Sequence, residues 1–118
     1  MDKLKEHIQS VVGIYKSGDL SKAEYLTKKL INSNPKVVFL YNLLGLILVG
    51  QKKSDQAMKF YEAGIKIDPS FGMIYNNIGL LFFKRKTVDS IKKAENFYKK
   101  AISLDKKIPE PYNNLGNL

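Results

Sequence analysis

From Leu4 to Tyr15 the apolar residues Leu4, Ile8, Val11, Val12 and Tyr15 recur at steps of mostly three and four, the spacing of one face of an α-helix. Gly18-Asp19 breaks the pattern. A second amphipathic run carries Ala23, Leu26, Leu30 and Ile31 and stops at Asn32-Ser33-Asn34-Pro35. Ser21 precedes that run with Glu24 three positions on, the capping-box spacing, which makes Ser21 its predicted N-cap. The third run, Val38 to about Gly50, is apolar nearly all round, as expected of a helix packed on both sides. Further helices are predicted around Ala57 and Tyr61, at the run opened by Tyr75 to Gly79, and around Ala94, Tyr98 and Ala101, with Thr87 or Asp89 as the cap of the last of these. A final short run opens at Pro109.

These helices come in a repeating order. Tyr75-Asn76-Asn77-Ile78-Gly79 is echoed by Tyr41-Asn42-Leu43-Leu44-Gly45 upstream and Tyr112-Asn113-Asn114-Leu115-Gly116 downstream. Gly45 and Gly79 stand 34 residues apart, and Gly116 stands 37 beyond Gly79. Each block opens one helix, and a second follows in which Ala57, Tyr61 and Asp68, then Ala94, Tyr98 and Asp105, repeat the same four- and seven-residue steps. A period of about 34 residues is that of helix-turn-helix solenoids.

The pattern resembles the tetratricopeptide repeat family, whose repeat sets a large residue at position 4, an aliphatic at 7, Gly or Ala at 8, a large apolar at 11, Ala at 20, an aromatic at 24, Ala at 27 and Pro at 32. Val38 to Phe71 meets it with Tyr41, Leu44, Gly45, Leu48, Ala57, Tyr61 and Pro69, and departs from it with Gly64 at position 27. The expected fold is therefore all-α, with helices in antiparallel pairs. The resemblance implies a right-handed solenoid (an α-α superhelix). The expected organisation is a single domain with repeats at about 4–37, 38–71 and 72–108 and a partial fourth at 109–118. The first repeat is degenerate, with Ser10 and Val11 at positions 7 and 8, as terminal repeats often are.

Three consequences follow for packing. Gly45 should sit where the two helices of its repeat cross, because a backbone without Cβ allows close approach. The three extra residues of the third repeat fall between Phe83 and Ala94, so its second helix should be longer by about one turn. In the fourth, Tyr112, Leu115 and Leu118 would pack inward on a repeat without its second helix. That end suggests a piece of a longer array, with self-association through the open C-terminal end as the alternative.

Composition narrows the chemistry. The 118 residues include no cysteine, which excludes disulfides and thiolate metal sites, and His7 is the lone imidazole. No phosphate loop, zinc-ligand spacing or nucleophile elbow is present, so no catalytic residue, metal or cofactor is assigned and an enzyme is not expected. His7, at repeat position 4, is expected to pack or cap. The start, Met-Asp-Lys-Leu-Lys-Glu, has no apolar stretch behind it to form a signal peptide, and the expected location is cytoplasmic. Val37 to Gly50 is well short of the roughly 20 residues a membrane span needs. Glu24 with Lys28, Glu62 with Lys66 and Glu95 with Lys99 are spaced for i,i+4 pairs on helix surfaces.

The net charge of +9 raises the question of nucleic acid, but of the 20 basic residues Arg85 is the lone guanidinium. Arginine is the residue suited to bidentate phosphate and base-edge contacts, so the composition disfavours that partner. Lys16, Lys52-Lys53 and Lys84-Arg85-Lys86 each fall at the end of a first helix, and stacking would set Lys52, Lys53, Lys84, Arg85 and Lys86 along one edge. That edge is either a solvated rim or a surface for an acidic partner, a phospholipid surface or nucleic acid.

The resemblance directs attention to the asparagines. In the family the first helices line the concave surface, and an asparagine at position 6 often points into the groove. Asn77 and Asn114 hold that position, and Asn42, Asn76 and Asn113 stand one place earlier in their repeats. With Lys84 they form the candidate partner-binding groove. An amide offers donor and acceptor to a peptide backbone regardless of its sequence. The alternative is that these amides bond neighbouring repeats or water. A carboxylate clamp, another use of the family, would need Lys and Asn in the first repeat where Ile8 and Val12 stand, then Asn, Lys and Arg where Leu43, Met73 and Asn77 stand, so it is absent. The expected function is a protein-interaction scaffold binding a protein or peptide segment, with no small-molecule substrate. The alternative is a substrate-recruiting or targeting arm of a larger glycosyltransferase- or sulfotransferase-type enzyme, and electrostatic binding to anionic polymers ranks last.

Overall fold

The computed structural model describes residues 2–118, with side chains from Lys3 onward. Seven helices and no strand are present among the described residues. They form two compact units that divide between Ile67 and Asp68.

The first unit contains α1 (Asp2–Lys16), α2 (Leu20–Ser33), α3 (Val38–Gly50) and α4 (Ser54–Ile67). Leu40, Leu44, Ile47 and Leu48 of α3 are completely buried. Burial of such a side chain stabilises by about 1.5–3 kcal/mol relative to exposure, so α3 is the core around which this unit forms. Val11, Ala23, Leu43 and Ile47 make one cluster, with Val12, Ile14, Tyr15, Leu20, Leu26 and Leu30 against it. Gly45 lies beside the Tyr61 ring of α4, as the crossing required: a Cβ built on it would fall 2.5 Å from Tyr61 Cδ1. Gly64 is buried too.

The N-cap of α2 is Asp19 rather than the expected Ser21. The Asp19 carboxylate accepts from the Lys22 N–H at 3.2 Å, which starts the helix one residue before Ser21 and leaves Glu24 outside any capping box. Glu24 instead accepts from Lys28 Nζ at 2.7 Å and lies 3.7 Å from Lys53 Nζ, tying α2 to the turn after α3. The bond from Lys28 holds the Glu24 carboxyl below its ordinary pKa. Of the other two predicted pairs, Lys99 reaches Glu95 at 2.7 Å, while no such contact joins Lys66 to Glu62 among the described residues.

The second unit contains α5 (Gly72–Phe83), α6 (Val88–Leu104) and α7 (Pro109–Gly116). The Gly45–Tyr61 contact recurs as Gly79 against Tyr98, where a Cβ would lie 2.6 Å from Tyr98 Cε1 and 3.3 Å from the Ala94 carbonyl oxygen. The expected lengthening is seen: α6 has 17 residues against 14 in α4. Thr87 caps it. Its hydroxyl accepts from the Ser90 N–H at 3.0 Å while Ser90 Oγ accepts from the Thr87 N–H at 3.0 Å, a reciprocal box. Thr87→Ala is therefore expected to cost about 1 kcal/mol in urea denaturation, and Asp89→Ala, at the other candidate cap, less than about 0.5 kcal/mol.

Two turn devices recur with the period. Asp68 Oδ1 accepts from the Ser70 N–H at 3.0 Å, and Asp105 Oδ1 from the Lys107 N–H at 3.0 Å, so both aspartates close their helices. Tyr41 Oη donates to the Pro35 carbonyl at 2.7 Å and Tyr75 Oη to the Pro69 carbonyl at 3.0 Å, stitching each first helix to the turn before it. Tyr112 departs from this. It is 47% exposed, and Leu118 is exposed as well, so the expected inward packing of both is corrected. Tyr75, its counterpart in α5, packs against Phe97 of α6, and among the described residues no helix follows α7 to do the same; Pro111 is the buried residue of α7.

Candidate interaction surfaces

On the first unit, Leu4 and Ile8 of α1 lie one turn apart and face Phe39 at the start of α3. With Lys5 and Gln9 they line a recess of about 380 Å³. Phe39 is 38% exposed, a large apolar side chain held open on an otherwise well-packed helix. A smaller recess of about 280 Å³ lies between α1 and α2, lined by His7, Ser10, Val11, Leu26, Lys29 and Leu30. His7 is exposed there, not packed or capping as expected. Asn42 of α3 is buried.

On the second unit the asparagines meet one another. Asn76 is 1% exposed; its Oδ1 accepts from Asn114 Nδ2 at 2.8 Å, and its Nδ2 lies 3.3 Å from Asn77 Oδ1 as donor. The chain of amides runs from α5 to α7 across 38 positions of sequence. Asn77 is also buried, Asn114 half-buried, and Asn113 and Lys84 exposed. The position-5 residue Asn76 is thus the hub that joins the position-6 residues Asn77 and Asn114.

The same unit carries a row of rings. Phe82 and Phe97 stack at 5.5 Å with 8° between planes, and Phe97 and Tyr75 at 6.5 Å with 25°. Arg85 lies 4.7 Å and Lys93 5.6 Å from the Phe82 centroid, and Lys100 lies 5.8 Å from that of Tyr75. Neither this row nor the recess at Phe39 was expected from the sequence. For the recess a usable pattern was present: Leu4/Ile8 and Lys5/Gln9 are i,i+4 pairs, and Phe39 stands 34 residues after Lys5. Lys52, Lys53, Lys84, Arg85 and Lys86 are all exposed, in the turns that follow α3 and α5. Among the described residues no group of His, Cys, Asp and Glu could hold a metal ion, and no helix is long and apolar enough to cross a membrane.

The profile of the tetratricopeptide repeat matches residues 40–71, the second helix pair. The whole chain superposes on solved tetratricopeptide domains: 99% of it on 77% of the Sgt2 domain from Aspergillus fumigatus, with a TM-score of 0.85 and 15% identity. Residues 40–71 are a tetratricopeptide repeat, and the chain has the fold of tetratricopeptide domains. Two further solved structures that match the chain contain peptides. The first repeat domain of Spaghetti (RPAP3), bound to the HSP90 peptide SRMEEVD, matches 98% of the chain and 90% of its own length, with a TM-score of 0.83 and 17% identity. The Yersinia enterocolitica type III secretion chaperone SycD, in complex with a peptide of the translocator YopD, matches 99% of the chain and 86% of its own, with a TM-score of 0.79 and 18% identity. Among curated proteins, the uncharacterized protein ycf37 of Pyropia yezoensis is 30% identical over 88 residues, 75% of this chain. The chain spans about half (48%) of the length of that relative.

Proposed function

We propose that this repeat protein is an interaction module that holds a segment of a partner polypeptide on its first-helix face. The observation that carries the reading is the recess lined by Leu4, Lys5, Ile8, Gln9 and Phe39, where both contributing helices are first helices of their pairs. Its lining is apolar with two polar side chains at the margin, the make-up of a site that takes an apolar anchor and orients the backbone around it. On the second unit, the exposed Asn113 and half-buried Asn114 lie on a first helix too and offer amide donors and acceptors to a peptide backbone. The solved relatives with peptides support the same class of ligand. Their ligands need not be this protein's, because Ile8, Val12, Leu43 and Met73 replace the charged and amide groups of a carboxylate clamp.

A random-peptide display library panned on the wild-type protein should return binders with an apolar anchor residue. Phe39→Ala should weaken them about tenfold or more, as truncation of a central anchor does. Binders indifferent to Phe39→Ala and to Ile8→Ala would remove this recess from consideration as the site.

A further inference from the structure

A different surface is marked by the backbone. Lys86, in the turn between α5 and α6, has φ of 59°, and Lys52, 34 residues earlier in the turn between α3 and α4, has φ of 64°. In the turn between α1 and α2 the same repeat position is Gly18, with φ of 94°. Glycine takes this left-handed conformation without the Cβ penalty that a lysine carries. Two lysines therefore stand in strained conformations where the chain itself shows the cheaper choice. Strain of this kind clusters at functional sites.

At Lys86 the surroundings say which use. Between positions 84 and 93 the chain has five cations, Lys84, Arg85, Lys86, Lys92 and Lys93, and one carboxylate, Asp89, already 3.3 Å from Lys93. Arg85 rests 4.7 Å from the Phe82 centroid, which limits its rotamers and presents its guanidinium in an ordered way. The Thr87–Ser90 box fixes the turn, and Val88 beside it is 76% exposed. We propose that this turn, Lys84 to Val88, is a docking surface for an acidic polypeptide segment that carries an apolar side chain against Val88. Ring faces decide against single-stranded nucleic acid: Phe82 is covered by Phe97 and by its cations, leaving no open platform for a base. Adsorption to a membrane surface needs a broad apolar face, and here Val88 stands alone. The turn after α3 is less available, since Lys53 is engaged by Glu24.

The test is fluorescence anisotropy with a labelled peptide of repeated Glu-Glu-Leu-Glu at about 0.15 M ionic strength, where long-range attraction is largely screened. Wild type should bind it, and Arg85→Ala/Lys86→Gly should bind about tenfold more weakly. Lys106→Ala/Lys107→Ala removes the same charge from another exposed turn and should stay within about twofold. Lys86→Gly alone should raise the melting temperature by a few degrees, and Arg85→Gln serves as the binding variant if the double one does not fold. Equal losses in both double variants, or no binding by wild type, would overturn the proposal. Tighter binding of oligothymidylate or of phosphatidylserine–phosphatidylcholine vesicles, with the same dependence on Arg85, would overturn its choice of partner.

Discussion

Gly45→Ala should lower the unfolding free energy by about 2 kcal/mol, the reverse of what helix propensity alone would give. In a helix interior, alanine is favoured over glycine by about 1 kcal/mol. At Gly45 the added methyl falls inside contact distance of three ring atoms of Tyr61, and that ring is completely buried. Overpacking of a rigid core costs about 1–3 kcal/mol and exceeds the propensity gain. The internal reference is Gly13 of α1, exposed and with nothing near its absent side chain, where the same substitution should stabilise by about 1 kcal/mol. Urea denaturation of the two variants gives opposite signs if the crossing is as tight as the structure has it. Like signs would mean that the α3–α4 pair adjusts freely. The second unit offers a replicate at Gly79, where the Ala94 carbonyl adds a backbone atom that a rotamer change cannot move.

Asn76→Ala should cost about 2 kcal/mol, and Asn113→Ala less than about 0.5 kcal/mol. Removing the Asn76 amide leaves Asn114 Nδ2 without the acceptor it has at 2.8 Å and takes a hydrogen-bond donor from Asn77 in a buried setting. A group left unsatisfied in the interior is charged its full desolvation. Asn113 is exposed and carries no such debt. Chemical denaturation of both variants, with α7 followed by hydrogen exchange, measures how far these amides are committed to holding α7 on α5. A neutral Asn76→Ala would show that they are not.

Periodicity made most of the fold readable. The helix order, the crossing at Gly45 and the longer α6 follow from spacing, because each depends on contacts inside one helix pair. The start of α2 was misjudged for a local reason: Asp19 and Ser21 are both good caps, and which one wins depends on the turn at Gly18. Tyr112 differs from the expectation because its counterpart Tyr75 is covered by the Phe97 ring of another helix, and the Tyr-Asn-Asn motif carries no mark of that contact. The candidate surfaces were only half legible. Lysines and asparagines could be assigned to positions, but the Asn76 hub and the cation-capped rings arise from side chains on different helices, and the left-handed φ at Lys86 has no compositional mark when the residue is not glycine.

The placement of the added residues in α6 has a mechanical consequence. Three residues rotate a helix by about 300°, so an insertion within the Ala94–Tyr98–Ala101 seam would turn everything after it by about −60° and spoil the fit to α5. Placed before the seam, the additions change only how far the helix overhangs its partner. The N-terminal end of a second helix is therefore the part of this architecture where length can drift during evolution, or be altered by design, without disturbing the registry of the pair.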